Sequence, residues 1–106
     1  MDIQVRNELE KIKQTILHTV ETEAIYLFGS YAEGTSSPDS DFDIYVVIPD
    51  DSIRPLEAMQ IIGRALYQEQ KKPINILVRR ASDFQQRKLL PTLERTVVQE
   101  GVRLYG

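Results

Sequence analysis

The chain is 106 residues long, 42% hydrophobic and 27% charged, with a formal charge of −3 and no cysteine. That length suits one domain, 1–106, around one core, and the composition is that of a folded globular protein. The acidic balance offers no general attraction for nucleic acid, so direct nucleic-acid binding is not expected, and the missing thiols exclude disulfides, thiolate metal sites and thiol catalysis.

In chain order, Asp2, Arg6, Glu8 and Glu10 make the start too polar for a signal peptide. No apolar run approaches the ~20 residues that span a bilayer, so a soluble, cytoplasmic protein is expected. Val5, Leu9, Ile12, Ile16 and Val20 recur at helical spacing and predict an amphipathic helix over Asp2 to Thr19. His18 lies off that stripe and reads as a solvated residue. Ala24 to Phe28 (AIYLF) is a short apolar strand stopped by Gly29. Tyr31 to Ser40, rich in Gly, Ser, Thr and Pro, reads as a turn of helix followed by a loop. Asp41 to Ile48 (DFDIYVVI) is a second strand, ended by Pro49.

Pro55 to Gln70 predicts a helix with Leu56, Met59, Ile62, Ala65 and Leu66 on its apolar side, broken by Lys71-Lys72-Pro73. Ile74 to Val78 is a third strand. Ser82 to Leu90 and Thr92 to Gln99 predict two short helices split by Pro91, with Ser82 and Thr92 as N-caps. Gly101 ends the second, and Val102 to Tyr105 adds an edge strand. Strands alternating with helices predict an α/β (α+β) architecture, a small mixed sheet with helices packed against it.

Chemistry concentrates between the first two strands. Side chains alternate along a strand, so Asp41 and Asp43 share one side about 7 Å apart, while Phe42, Ile44 and Val46 face the core. Two parallel carboxylates repel unless a cation sits between them, and hard oxygen ligands suit Mg²⁺ or Mn²⁺. An isolated Asp-x-Asp also serves simply to solvate a strand end. Gly29-Ser30 adds a second signal, because a glycine bend opening a helix lets an anion approach backbone N–H groups. Together they describe a phosphate cradle, ten residues, and a metal-binding pair.

Gly29-Ser30, ten intervening residues and Asp41-Phe42-Asp43 resemble the nucleotidyltransferase superfamily that includes DNA polymerase β. The pattern is most similar to the minimal nucleotidyltransferase (MNT) branch, the MntA-like antitoxins encoded beside HEPN-domain proteins. Tyr31 to Gly34, Pro38 to Ser40, Pro73 to Val78 and Glu100 to Tyr105 extend the likeness over nearly the whole chain. The resemblance implies that Gly29 and Ser30 bind the triphosphate of ATP. It also implies that Asp41 and Asp43 are catalytic and hold Mg²⁺ or Mn²⁺. The implied reaction is attack of an acceptor hydroxyl on the α-phosphorus, with release of pyrophosphate. The implied partner is a HEPN toxin, modified with AMP or restrained by binding. Longer relatives bind the acceptor with a second domain, so here a separate protein, or oligomerisation, would complete the site.

One position departs from the family pattern. A third carboxylate is usual on the next strand, and here Asn75 stands there, with no acid from Lys71 to Arg80. An amide carries no charge and cannot serve as a base. Asp39 and Glu33 are the alternative acids nearby in sequence. Two readings follow: an adenylyl-transferring enzyme, or a degenerate transferase fold that binds and restrains its partner. Arg79-Arg80, Lys71-Lys72 and Arg87-Lys88 either form a basic rim or protect a sheet edge, and Tyr31 is the candidate for stacking on a nucleobase.

Overall fold

A computed structural model describes residues 1–68 and 71–106. Asp2 caps the first helix, α1 (Ile3–Thr19), by accepting from the Gln4 N–H at 2.9 Å. Leu9, Ile12 and Ile16 are buried, one turn apart, as the sequence stripe requires, and His18 is exposed. β1 (Ala24–Phe28) runs into Gly29, and a four-residue turn of helix, α2 (Ser30–Glu33), follows. Next come β2 (Phe42–Ile48), α3 (Pro55–Tyr67), β3 (Ile74–Arg80), α4 (Ala81–Arg87), α5 (Leu93–Glu100) and β4 (Val102–Tyr105).

The sheet order is β3-β2-β1-β4, with β2 and β3 parallel and the other neighbours antiparallel. The mixed sheet and the edge position of β4 match expectation. The parallel pair is joined through α3, as a parallel pair demands a crossover. On one face α1 and α3 cover Ile25, Leu27, Phe42, Ile44, Val46, Ile48 and Val78. On the other, Phe84 of α4 and Val97 of α5 close over Tyr26, Tyr45 and Val47. The second core was not legible in the alternation of β2, because Asp41 and Asp43 mark that face as polar while Tyr45 and Val47 finish it as apolar.

Several boundaries differ from the sequence expectations. Asp41 stands just outside β2, and β3 continues two residues beyond Val78. Thr92 caps α5, accepting from the Arg95 N–H at 3.3 Å, but Ser82 caps nothing. It lies inside α4, where its N–H donates to Asp50 Oδ1 at 2.9 Å. α4 stops at Arg87, leaving Leu89 and Leu90 exposed before Pro91. α3 buries Ala58, Ile62 and Leu66, whereas Leu56 and Ala65 are exposed. Leu56 stands about 200° around the helix from Ala58, so one stripe cannot hold both. Glu69 and Gln70, the last residues expected in that helix, lie outside the described residues. Among the described residues no helix is long and apolar enough to cross a membrane.

Candidate functional site

Sheet register brings the candidate residues together. Phe28 of β1 and Asn75 of β3 both pair with Asp43, so the three stand in one row across the sheet. Asp41 lies two residues before Asp43, just ahead of the strand, and Asn75 reaches both carboxylates. Asn75 Nδ2 donates to Asp43 Oδ1 at 2.9 Å and to Asp41 Oδ2 at 3.4 Å. The two carboxylates are therefore close enough to share one nitrogen, whose two hydrogens serve one acid each. Adjacent carboxylates repel, and this neutral donor supplies part of the relief a cation would give.

Gly29 fits against the same pair. Its φ is 74°, in the region that favours glycine, and a Cβ there would overlap Asp43 Oδ2 and lie 3.1 Å from Asp43 Cγ. The bend after β1 and the carboxylate of β2 are thus in direct apposition, which the linear spacing alone could not establish. The Gly29 carbonyl accepts from the Ala32 and Glu33 N–H groups at 3.1 and 3.0 Å, fixing the single turn of α2. Ser30 is the first residue of that turn, and its hydroxyl has no hydrogen bond among the described residues.

The ten-residue connection is pinned at its far end. Ser40 N–H donates to the Ser37 carbonyl at 3.0 Å, and Ser37 N–H donates to Ser40 Oγ at 2.9 Å. Lys72 Nζ donates to the Pro38 carbonyl at 2.8 Å and lies 6.0 Å from the Tyr31 ring centroid. The Tyr31 ring packs on Phe42, with centroids 4.6 Å apart. Tyr31 is thus a strut between loop and core, with its ring set on Phe42. Asp39 and Glu33 are exposed, and among the described residues no group of three His, Cys, Asp or Glu converges as a metal centre. Neither acid takes the place that Asn75 leaves open.

Two of the basic residues at and beyond the end of β3, Arg79 and Arg87, are engaged with acids. Arg79 Nε donates to Glu94 Oε2 at 3.3 Å, and Arg79 also pairs with Asp83 at 3.5 Å. Arg87 Nε lies 3.2 Å from Glu94 Oε1, an attraction of charge without hydrogen-bond alignment. Tyr45 donates to Glu94 Oε2 at 2.8 Å, and the Glu94 side chain is 1% exposed. Burial pushes the Glu94 carboxyl up, but the Tyr45 hydroxyl and Arg87 outweigh it and hold the group below its ordinary value. Burial and the Glu94 hydrogen bond push the Tyr45 hydroxyl well above its ordinary 10.0. Sequence reading missed this cluster. Its one signal is an acid at a position one turn from buried Val97, where α5 should be apolar.

A cleft of about 660 Å³ opens on the opposite face between α1 and the start of β3, lined by residues such as Lys11, Leu66 and Lys72. None of Gly29, Ser30, Asp41 and Asp43 lines it. The chemistry sits instead at the shallow sheet end. Two hard carboxylates are donors of the kind Mg²⁺ or Mn²⁺ takes one or two at a time, with the remaining oxygens drawn from water or a substrate phosphate.

Residues 10–106 match the family model described as polymerase beta, nucleotidyltransferase. Comparison with curated proteins gives no match. Among solved structures, a mutant MntA–HpeT toxin–antitoxin complex superposes with a TM-score of 0.65 at 21% identity, covering 92% of this chain and 71% of the matched one. A toxin–antitoxin crystal structure with AMP-PNP gives a TM-score of 0.55 at 26% identity, covering 94% and 72%. A Sulfolobus solfataricus protein described as a nucleotidyltransferase gives 0.61 at 19% identity, covering 94% and 80%.

Proposed function

The chain belongs to the polymerase β nucleotidyltransferase family, and from that premise we propose that it is an MNT antitoxin. In this reading it receives ATP with a divalent cation and transfers AMP to a hydroxyl of a HEPN toxin. The observation that carries the reading is the apposition of Gly29 with Asp43 in the row Phe28–Asp43–Asn75. A strand pair that served only as scaffold has no need for a carboxylate packed on a bare bend. The solved toxin–antitoxin complex with AMP-PNP, 26% identical, adds support for nucleotide and partner.

Asp41 and Asp43 would hold the cation, which when bound neutralises charge on the phosphates and favours an in-line displacement. Gly29, lacking a Cβ, lets the Asp43 carboxylate sit directly against the bend, so that a cation held by Asp43 would lie beside the backbone of the turn. The Ser30 hydroxyl, without a partner among the described residues, is a ready donor to a phosphate oxygen. The Ser37–Ser40 turn and the Lys72–Pro38 bond hold the loop that leads into Asp41, so the two acids are positioned before ligand arrives. The acceptor hydroxyl comes from the partner.

A second reading is favoured by Asn75. With an amide beside the aspartates and no third acid among the described residues, the site lacks a base for the acceptor hydroxyl. Loss of a general base costs about 10²–10⁴-fold in rate. In that case the chain binds nucleotide and restrains its HEPN partner without turnover. The test is incubation with labelled ATP, Mg²⁺ and the HEPN partner. Label on the partner, abolished by Asp43→Ala, supports transfer. Stable co-purification without label supports restraint, and absence of both label and co-purification overturns the antitoxin reading.

A further inference from the structure

We infer that the Asn75 carboxamide takes the place of a second metal ion at the aspartate pair, so that the centre holds a single divalent cation. The inference rests on the proposal that a metal–triphosphate binds here. Its physical basis is the donor geometry of the row across β2 and β3.

The nitrogen of Asn75 is within hydrogen-bond distance of one oxygen from each acid, 2.9 Å to Asp43 and 3.4 Å to Asp41. Its hydrogens carry partial positive charge and partly satisfy both carboxylates, which are then held together although like-charged. A cation bridging the same two oxygens has to displace those hydrogens, since a metal and an N–H donor repel at one lone pair. The protein contributes two negative charges at this point, and no other acid among the described residues joins them. Mg²⁺ loses water reluctantly, and hard ions of this kind are held by one or two carboxylates together with substrate phosphates. Two carboxylates alone are a poor set for one such ion and a worse one for two. A triphosphate supplies the missing oxygens for one ion on its own side. A second ion, reaching for the acceptor hydroxyl, would have to share Asp41 and Asp43 and find no third carboxylate. The amide therefore keeps the pair assembled without metal and sets the occupancy at one when nucleotide arrives.

Mn²⁺ binding read by electron paramagnetic resonance tests this without any catalytic assay. With AMP-PNP present, wild type binds one Mn²⁺ per chain and Asn75→Asp binds two. Without nucleotide, Asn75→Asp binds Mn²⁺ at least about tenfold more tightly than wild type, since a third charge replaces a competing donor. Two ions on the wild-type chain overturn the inference, and that measurement stands even if Asn75→Asp does not fold. Equal Mn²⁺ affinity of wild type and Asn75→Asp in the absence of nucleotide overturns it as well. Should wild type ignore Mn²⁺–AMP-PNP while Asn75→Asp still gains Mn²⁺ alone, the nucleotide proposal fails and the role of Asn75 survives.

Discussion

At the scale of the residue, Gly29 and Asp43 form the contact on which the site depends. Gly29 combines a φ of 74° with a missing Cβ that would overlap the Asp43 carboxylate. Gly29→Ala therefore meets two penalties, backbone strain and expulsion of Asp43 from beside the bend. We expect a loss of about 1–3 kcal/mol in stability, read by urea denaturation. We also expect at least about tenfold weaker Mn²⁺–AMP-PNP binding by calorimetry. Unchanged nucleotide affinity in a folded Gly29→Ala protein would remove this contact from the site. The aspartates and the glycine were legible in the sequence because local rules govern them: strand parity puts Asp41 and Asp43 on one side, and a bend after a strand asks for glycine. That Asn75 stands where the family carries a third acid came from the resemblance, while its pairing with Asp43 came only with the register of the parallel strands. The packing of Tyr31 was not legible. Only the fold shows its ring set on Phe42 with Lys72 nearby.

At the scale of the element, Glu94 ties α5 to the sheet. Its carboxylate receives Tyr45 of β2 and Arg79 of β3 and faces Arg87 at the end of α4. Glu94→Gln keeps the shape and removes the charge, leaving Arg87 short of its counterion and Arg79 with Asp83 alone. A fully buried pair broken this way costs roughly 3–5 kcal/mol. The side chains of Arg79 and Arg87 are 35% and 41% exposed, so water recovers part of that loss. We expect about 2 kcal/mol, a fall in Tm of roughly 10 °C for a chain of this size. The pH dependence has a definite sign. Glu94 binds its proton less readily folded than unfolded, so its contribution is present above the ordinary 4.5 and is lost as pH falls below it. Tyr45 holds its proton more tightly when folded, so its contribution is present below 10.0 and declines as pH rises beyond that. Thermal melts across pH should show the acid-side decline shrink in Glu94→Gln; an unaltered profile would rule out a charged Glu94.

At the scale of the whole molecule, one sheet serves two cores. α1 and α3 bury one face, α4 and α5 bury part of the other, and the acids occupy what the second pair leaves uncovered. Because β1 and β2 contribute side chains to both cores, neither can melt without exposing the other. We propose that residues 1–106 unfold as one cooperative unit, with equal calorimetric and van't Hoff enthalpies. Two resolved transitions would divide the chain and overturn the single-domain reading.

The sequence by itself determined the alternation of strands and helices, the Gly29-Ser30 bend, the shared side of Asp41 and Asp43 and the lack of an acid near Asn75. These follow from short-range periodicity and backbone geometry, which act between residues close in the chain. Only the tertiary structure decided that Gly29 packs on Asp43, that one amide spans both aspartates, and that Glu94 gathers Tyr45, Arg79 and Arg87. Those contacts join residues far apart in sequence. Their energies depend on strand register, burial and the direction of a donor, quantities that exist only once the sheet has closed.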